Sequence, residues 1–154
     1  MRAIVMLVGL AAVAAPALAC TCSPPETEAQ KQEIAGRIAR ESAAIVDVEQ
    51  VAPMDFKSMK GETYRVAKIH LGTAPAQFER ARGFHREPDG GVSMATTSCD
   101  EIPPPGQRAT VVLYATDTPG KYRFGGTCDE YFIREVPGAI GLIRAALGRP
   151  VERG

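Results

Sequence analysis

Two cysteines one residue apart, in Cys20-Thr21-Cys22-Ser23-Pro24-Pro25, hold the most specific chemistry of the chain. They follow directly on Ala17-Leu18-Ala19, the small-x-small pattern of a signal-peptidase site. Cleavage after Ala19 makes Cys20 the first residue of the exported chain. A free α-amino group beside its own carbonyl oxygen then forms a five-membered chelate for a metal that keeps an open position. Cys22 supplies a second sulfur that can pin this terminus down.

Other residues have weaker claims. His70 and His85 are the only histidines; neither has a partner at ligand spacing, so both are expected to face solvent. Asp100-Glu101 and Asp129-Glu130 follow cysteines directly. Neighbours on extended chain point to opposite faces, which disfavours acid–base pairing and makes these pairs solvated loop ends. Arg80, Arg82 and Arg86 lie close to His85 but are flanked by Glu79 and Glu87, the pattern of a solvated loop. Ser98 has no evident base partner and stands in no Gly-x-Ser-x-Gly elbow, and no phosphate loop or nucleotide fingerprint occurs. No catalytic constellation emerges, so the chain reads as a non-enzyme with no cofactor.

Residues 1–19 have the parts of an export signal: Arg2, an apolar run from Ala3 to Ala15 too short to span a bilayer, and Pro16 before the cleavage site. No later segment is apolar enough to cross a membrane. Removing 19 of the 154 residues leaves 135, one domain's worth. With Arg2 gone, 17 basic residues face 18 acidic ones. That balance gives no electrostatic footprint for nucleic acid. An oligonucleotide face would also want exposed aromatics among basic residues. The chain has no Trp, and Tyr64, Phe124, Tyr131 and Phe132 fall mostly at expected core positions.

All four cysteines (Cys20, Cys22, Cys99 and Cys128) lie beyond the signal, and an even count in an exported chain favours disulfides over a metal site. A Cys20–Cys22 bridge closes a strained small ring. Either remaining pairing ties the N-terminal strip to two distant points.

The elements that position these residues follow from periodicity. Pro24-Pro25 keeps the strip extended. Glu26 to Glu41 favours a helix capped by Thr27, with Ile34 and Ile38 on one thin apolar face, so it should lie on the surface. Ala43 to Val51 reads as a strand burying Val46, Val48 and Val51. Thr63 to Leu71 reads as a second strand, ended by Gly72. Thr73 to Gly91 reads as an irregular excursion, and Val92 to Thr97 as a short strand leading to Cys99. Ala109 to Ala115 is the strongest strand, buried on both faces, and Lys121 to Phe124 is the last. Ala139 to Leu147 has Ile140, Ile143 and Leu147 at helical spacing before Gly148 and Pro150. Five short strands with a helix near each end make a mainly β domain, a small closed or nearly closed barrel spanning 20–148, with 149–154 as a tail.

This pattern resembles the tissue inhibitors of metalloproteinases, the netrin-like domains with an OB fold. The likeness rests on four features: Cys20-Thr21-Cys22-Ser23-Pro24, which looks like the Cys-x-Cys-x-Pro start of those inhibitors; the order of the first two strands; Thr97-Ser98-Cys99-Asp100; and an apolar strand with Gly120 leading to Cys128. It covers Cys20 to Phe132. It implies a five-stranded OB-like barrel and two disulfides, Cys20–Cys99 and Cys22–Cys128. It also implies a mechanism. The amine and carbonyl of Cys20 would chelate the zinc of a partner protease and displace its water. Thr21 would point into the pocket beside the metal, and Thr97 and Ser98 would line the same ridge. The chain departs from the family in having no cysteine between Ser23 and Gly36, where a charged helix stands. It also has Asp100 in place of Gly, and no second cysteine-rich domain.

The expectation is an exported non-catalytic protein-binding domain, periplasmic or extracellular, that inhibits a zinc metalloprotease through Cys20 and Thr21. The rival is a structural or envelope-associated domain with no protease target, anchored through a lipid on Cys20. Leu18-Ala19-Cys20 loosely resembles a lipobox, although lipidation would consume the Cys20 thiol and leave an odd number of cysteines.

Overall fold

The computed structural model describes residues 22–95 and 103–148. Helix α1 (Glu28–Glu41) starts at a complete capping box: the Thr27 hydroxyl accepts from the Gln30 N–H, and the Gln30 side chain accepts from the Thr27 N–H. Strands β1 (Ala44–Ala52), β2 (Thr63–Gly72) and β3 (Gln77–Arg80) follow, then a hairpin of β4 (Gly83–Arg86) and β5 (Val92–Ala95). The chain continues through β6 (Arg108–Ala115), β7 (Lys121–Phe124), α2 (Thr127–Glu135) and α3 (Ala139–Leu147).

The barrel closes in the order β1-β2-β3-β7-β6, every pair antiparallel except β3 with β7. This is the five-stranded, OB-like barrel expected from the sequence, with four of the five anticipated strands in place. The fifth differs. β3 lies inside Thr73–Gly91, the stretch read as irregular, while Val92–Ala95 pairs with β4 outside the barrel. The reason is length. β3 has only four residues, and its alternation buries Phe78 and Arg80 while leaving Gln77 exposed, a period-2 signal with a charged residue in one buried place. Thr97, at the end of the expected strand, lies outside the described residues.

The core has two compartments that share β1 and β6. Ala44, Val46, Val48, Tyr64, Phe78, Val111, Leu113 and Phe124 fill the barrel. Ile45 and Val112, paired in the β1–β6 ladder, point outward beneath the helices and join Ala35, Ile38, Phe132, Val136 and Ile143. The continuous apolar run of β6 is thus buried on both faces, as expected. Helix α1 is more deeply embedded than its thin stripe suggests: Ala35, Ile38 and Ala39 are all buried against α2 and α3. Small alanines beside one isoleucine let helices approach closely and leave little hydrophobic signature. Val51, expected inside, is 46% exposed because the β1–β2 ladder is irregular after Gln50. Of α3's apolar residues Ile143 is buried and Leu147 is exposed.

Two glycines are required by close approach. Gly72 has φ +74°, and a Cβ there would meet the Ala43 carbonyl oxygen at 2.1 Å. At Gly61 a Cβ would sit 1.8 Å from the Arg80 carbonyl oxygen. Among the described residues there is one disulfide, Cys22–Cys128, with Cα atoms 5.2 Å apart and a sequence separation of 106. In the chain-entropy account a loop of that size contributes about 4–5 kcal/mol. The Cys20–Cys99 bridge implied by the family resemblance lies outside the described residues.

Phe132 is 1% exposed at the centre of the outer compartment. Phe132→Ala should therefore cost about 3–5 kcal/mol in chemical denaturation, with the midpoint shifted and the slope unchanged.

Candidate functional site

The extended strip 22–25 is joined to the body by the bridge from Cys22 to Cys128, the second residue of α2. It runs beside α1, and between them lies a groove of about 410 Å³. Ser23, Pro24 and Pro25 form one wall, Ile34 and Arg37 the other. Of the residues singled out as a reactive edge, Cys22 stands where the strip meets the barrel's helical side. Cys20, Thr21, Thr97, Ser98 and Cys99 lie outside the described residues, as do Asp100 and Glu101.

A buried polar network supports this side of the molecule. Asp129 on α2 is 6% exposed; it accepts hydrogen bonds from the Arg37 guanidinium of α1 and, at 2.7 Å, from the Tyr114 hydroxyl of β6. The hydrogen bond and charge of Asp129 raise the Arg37 pKa further. Burial, then the bond to Asp129, pushes the Tyr114 phenol well above its ordinary value. The acidic pair Asp129-Glu130 is therefore no solvated loop end. It sits in the first turn of a helix, where carboxylates complement the dipole, and both residues are buried. The sequence carries the signal for α2: Gly126 ahead of two acids, and Arg134 in the last turn.

The arginine cluster also differs from a solvated loop. Arg82 donates to both carboxylate oxygens of Glu62, at 2.6 and 2.9 Å, with both side chains 3% exposed. Arg80 is buried with its guanidinium carbon 4.5 Å from the centre of the Phe124 ring. Only Arg86 and His85 are exposed. A pair of arginines two apart reads as polar; Arg80, at an inward place of β3, packs over Phe124, and Arg82, just past that strand, turns in to meet Glu62. His70 likewise does not simply face solvent: its Nε2 lies 2.8 Å from Asp47 Oδ1, which also accepts from the Thr110 hydroxyl at 2.7 Å, linking β2, β1 and β6. Thr110 hydrogen-bonds the carboxylate rather than the imidazole, so the trio has no activated nucleophile. Tyr64, Phe124 and Phe132 are buried, and Tyr131 is half-buried.

A second groove of about 570 Å³ lies between the start of β6 and the helices, lined by Pro103, Ala109, Ile133 and Ile140 among others. Among the described residues no three His, Cys, Asp or Glu side chains converge to hold a metal, and no helix is long and apolar enough to cross a membrane.

Burial pushes the Glu62 carboxyl up, but the Arg82 hydrogen bonds and the charges of Arg82 and Arg80 outweigh it and hold the group below its usual range. Burial likewise opposes the His70 and Thr110 bonds that lower Asp47. A carboxyl held lower in the folded state than in the unfolded one adds stability above the unfolded pKa, about 4. That stability is lost as pH falls through the folded value. Urea midpoints measured from pH 7 down to pH 2.5 should fall below about pH 4, and Asp47→Asn should flatten that fall.

No known family model, curated protein or solved structure matches the chain.

Proposed function

We propose that this protein is an exported, non-catalytic binding domain whose N-terminal strip is its reactive element, and that it inhibits a zinc metalloprotease by chelating the metal with the amine and carbonyl of Cys20. The observation that carries the reading is the Cys22–Cys128 bridge. It anchors the chain two residues downstream of Cys20 to a helix packed on the barrel. A terminus held in this way loses little further freedom on docking, which lowers the ordering cost of binding. The five-stranded barrel and the order of the strip, strands and Cys128 fit the resemblance to the metalloproteinase inhibitors. On this reading Thr21 enters the pocket next to the zinc, and Thr97 and Ser98 flank it. Helix α1, immediately after the strip, restricts which proteases can approach.

The exported protein, confirmed by intact mass to begin at Cys20, should be assayed against a panel of zinc metalloproteases beside a form with one alanine added ahead of Cys20. The added residue removes the amine from chelating distance, so the inhibition constant should rise by about 100-fold or more, equivalent to about 3 kcal/mol. Equal potency of the two forms rejects chelation. A diacylglyceryl adduct on Cys20 in the mass measurement supports the anchored envelope domain instead.

A further inference from the structure

We propose that Met59 is an oxidation site whose sulfoxide is held by Arg86, clasping the loop 53–61 to the β4–β5 hairpin. The site does not involve the N-terminal strip and stands independently of the role assigned to it.

Three observations carry it. First, among the described residues Met59 is the only one other than glycine with a positive φ, +54°. A bulky side chain strains the backbone there, and glycine would relieve it. A side chain kept at such a place points to a use for it. Second, that side chain meets a cation: Arg86 Nη2 donates to Met59 Sδ at 3.7 Å. A thioether is a weak acceptor, whereas oxidation makes the same group polar. Third, the contact joins two excursions from the barrel. The loop is closed by Asp55 and Lys60, whose N–H groups donate to each other's carbonyl oxygens at 2.9 and 3.0 Å. The hairpin sets Phe84 opposite Met94 and Arg86 opposite Val92. Phe56 of the loop packs edge-on against Phe84, with ring centres 5.8 Å apart. Neither excursion adds a residue to either core compartment. A stronger bond between them is therefore read directly in their local stability.

The oxidant is a peroxide. Met59 is half-buried and Arg86 exposed, so a small oxidant reaches the sulfur. The Arg86 N–H takes one sulfur lone pair and leaves the other open. That pair attacks one oxygen of hydrogen peroxide and the O–O bond breaks. The transferred oxygen gives its proton to the departing hydroxide, which leaves as water. Sulfur loses two electrons and the peroxide gains them. Rotation about the terminal bonds of the flexible side chain then turns the new oxygen toward the guanidinium. Its charged N–H groups make the resulting hydrogen bond stronger than the one to sulfur.

The test treats the exported protein with hydrogen peroxide and scores Met54, Met59 and Met94 by peptide mass. Amide hydrogen exchange is followed at Met59 and Lys60, which donate to the Phe56 and Asp55 carbonyl oxygens at 3.2 and 3.0 Å and so begin with protection to change. The expected result is a sulfoxide on Met59 and exchange at both amides slowed by about fivefold or more. Methionine sulfoxide reductases of both epimer classes should reverse the slowing. In Arg86→Gln the oxidation should proceed without it, and in Met59→Leu peroxide should leave both amides unchanged. A Met59 that stays reduced, exchange that is unchanged or faster once its sulfoxide has formed, or the same slowing in either variant overturns the clasp.

Discussion

The ladder between β1 and β6 is the element on which the remaining structure depends. Its registers place Ala44 against Leu113, Ile45 against Val112 and Val46 against Val111. Alternation along each strand sends Val46, Val111 and Leu113 into the barrel and Ile45 and Val112 out beneath the helices. Both compartments are therefore built on one pair of strands. A single-residue slip would exchange the two sets and unmatch both at once, so the register is specified twice. The helices in turn cover what would otherwise be an exposed apolar face.

Around this ladder, three buried or half-buried carboxylates are matched by partners from other elements. Asp129 gathers Arg37 and Tyr114 from two other elements, Glu62 receives the Arg82 fork, and Asp47 joins His70 to Thr110. Each pairing spans elements distant in sequence. Burying one member without the other would leave an uncompensated charge, a larger loss than the pair itself contributes. These contacts fix how α1, α2 and the short β3 sit against the barrel more than they add to its stability. The N-terminal strip has no such contacts among the described residues, and its position depends on a covalent bond.

Much of this was legible in the chain. The β-branched run Thr110-Val111-Val112, the alternation after Ile45, the caps at Thr27 and Gly148 and the Ile140–Leu147 spacing each map onto an observed element, because local periodicity and capping chemistry act over a few residues. What was illegible had weak local signals. β3 is four residues long with an arginine in a buried place, α1 buries alanines, and α2 opens on two carboxylates that look solvated.

Closely spaced short strands, a capped helix ahead of them, a helix at the far end and two cysteines flanking a threonine after a small-x-small site are all readable from neighbouring residues. That β3 closes the barrel parallel to β7, that Arg82 and Asp129 face inward, and that Cys22 meets Cys128 across 106 positions came from long-range packing. Such choices depend on which distant group shares a low-dielectric site or a bonding distance, and no local window of sequence contains both partners.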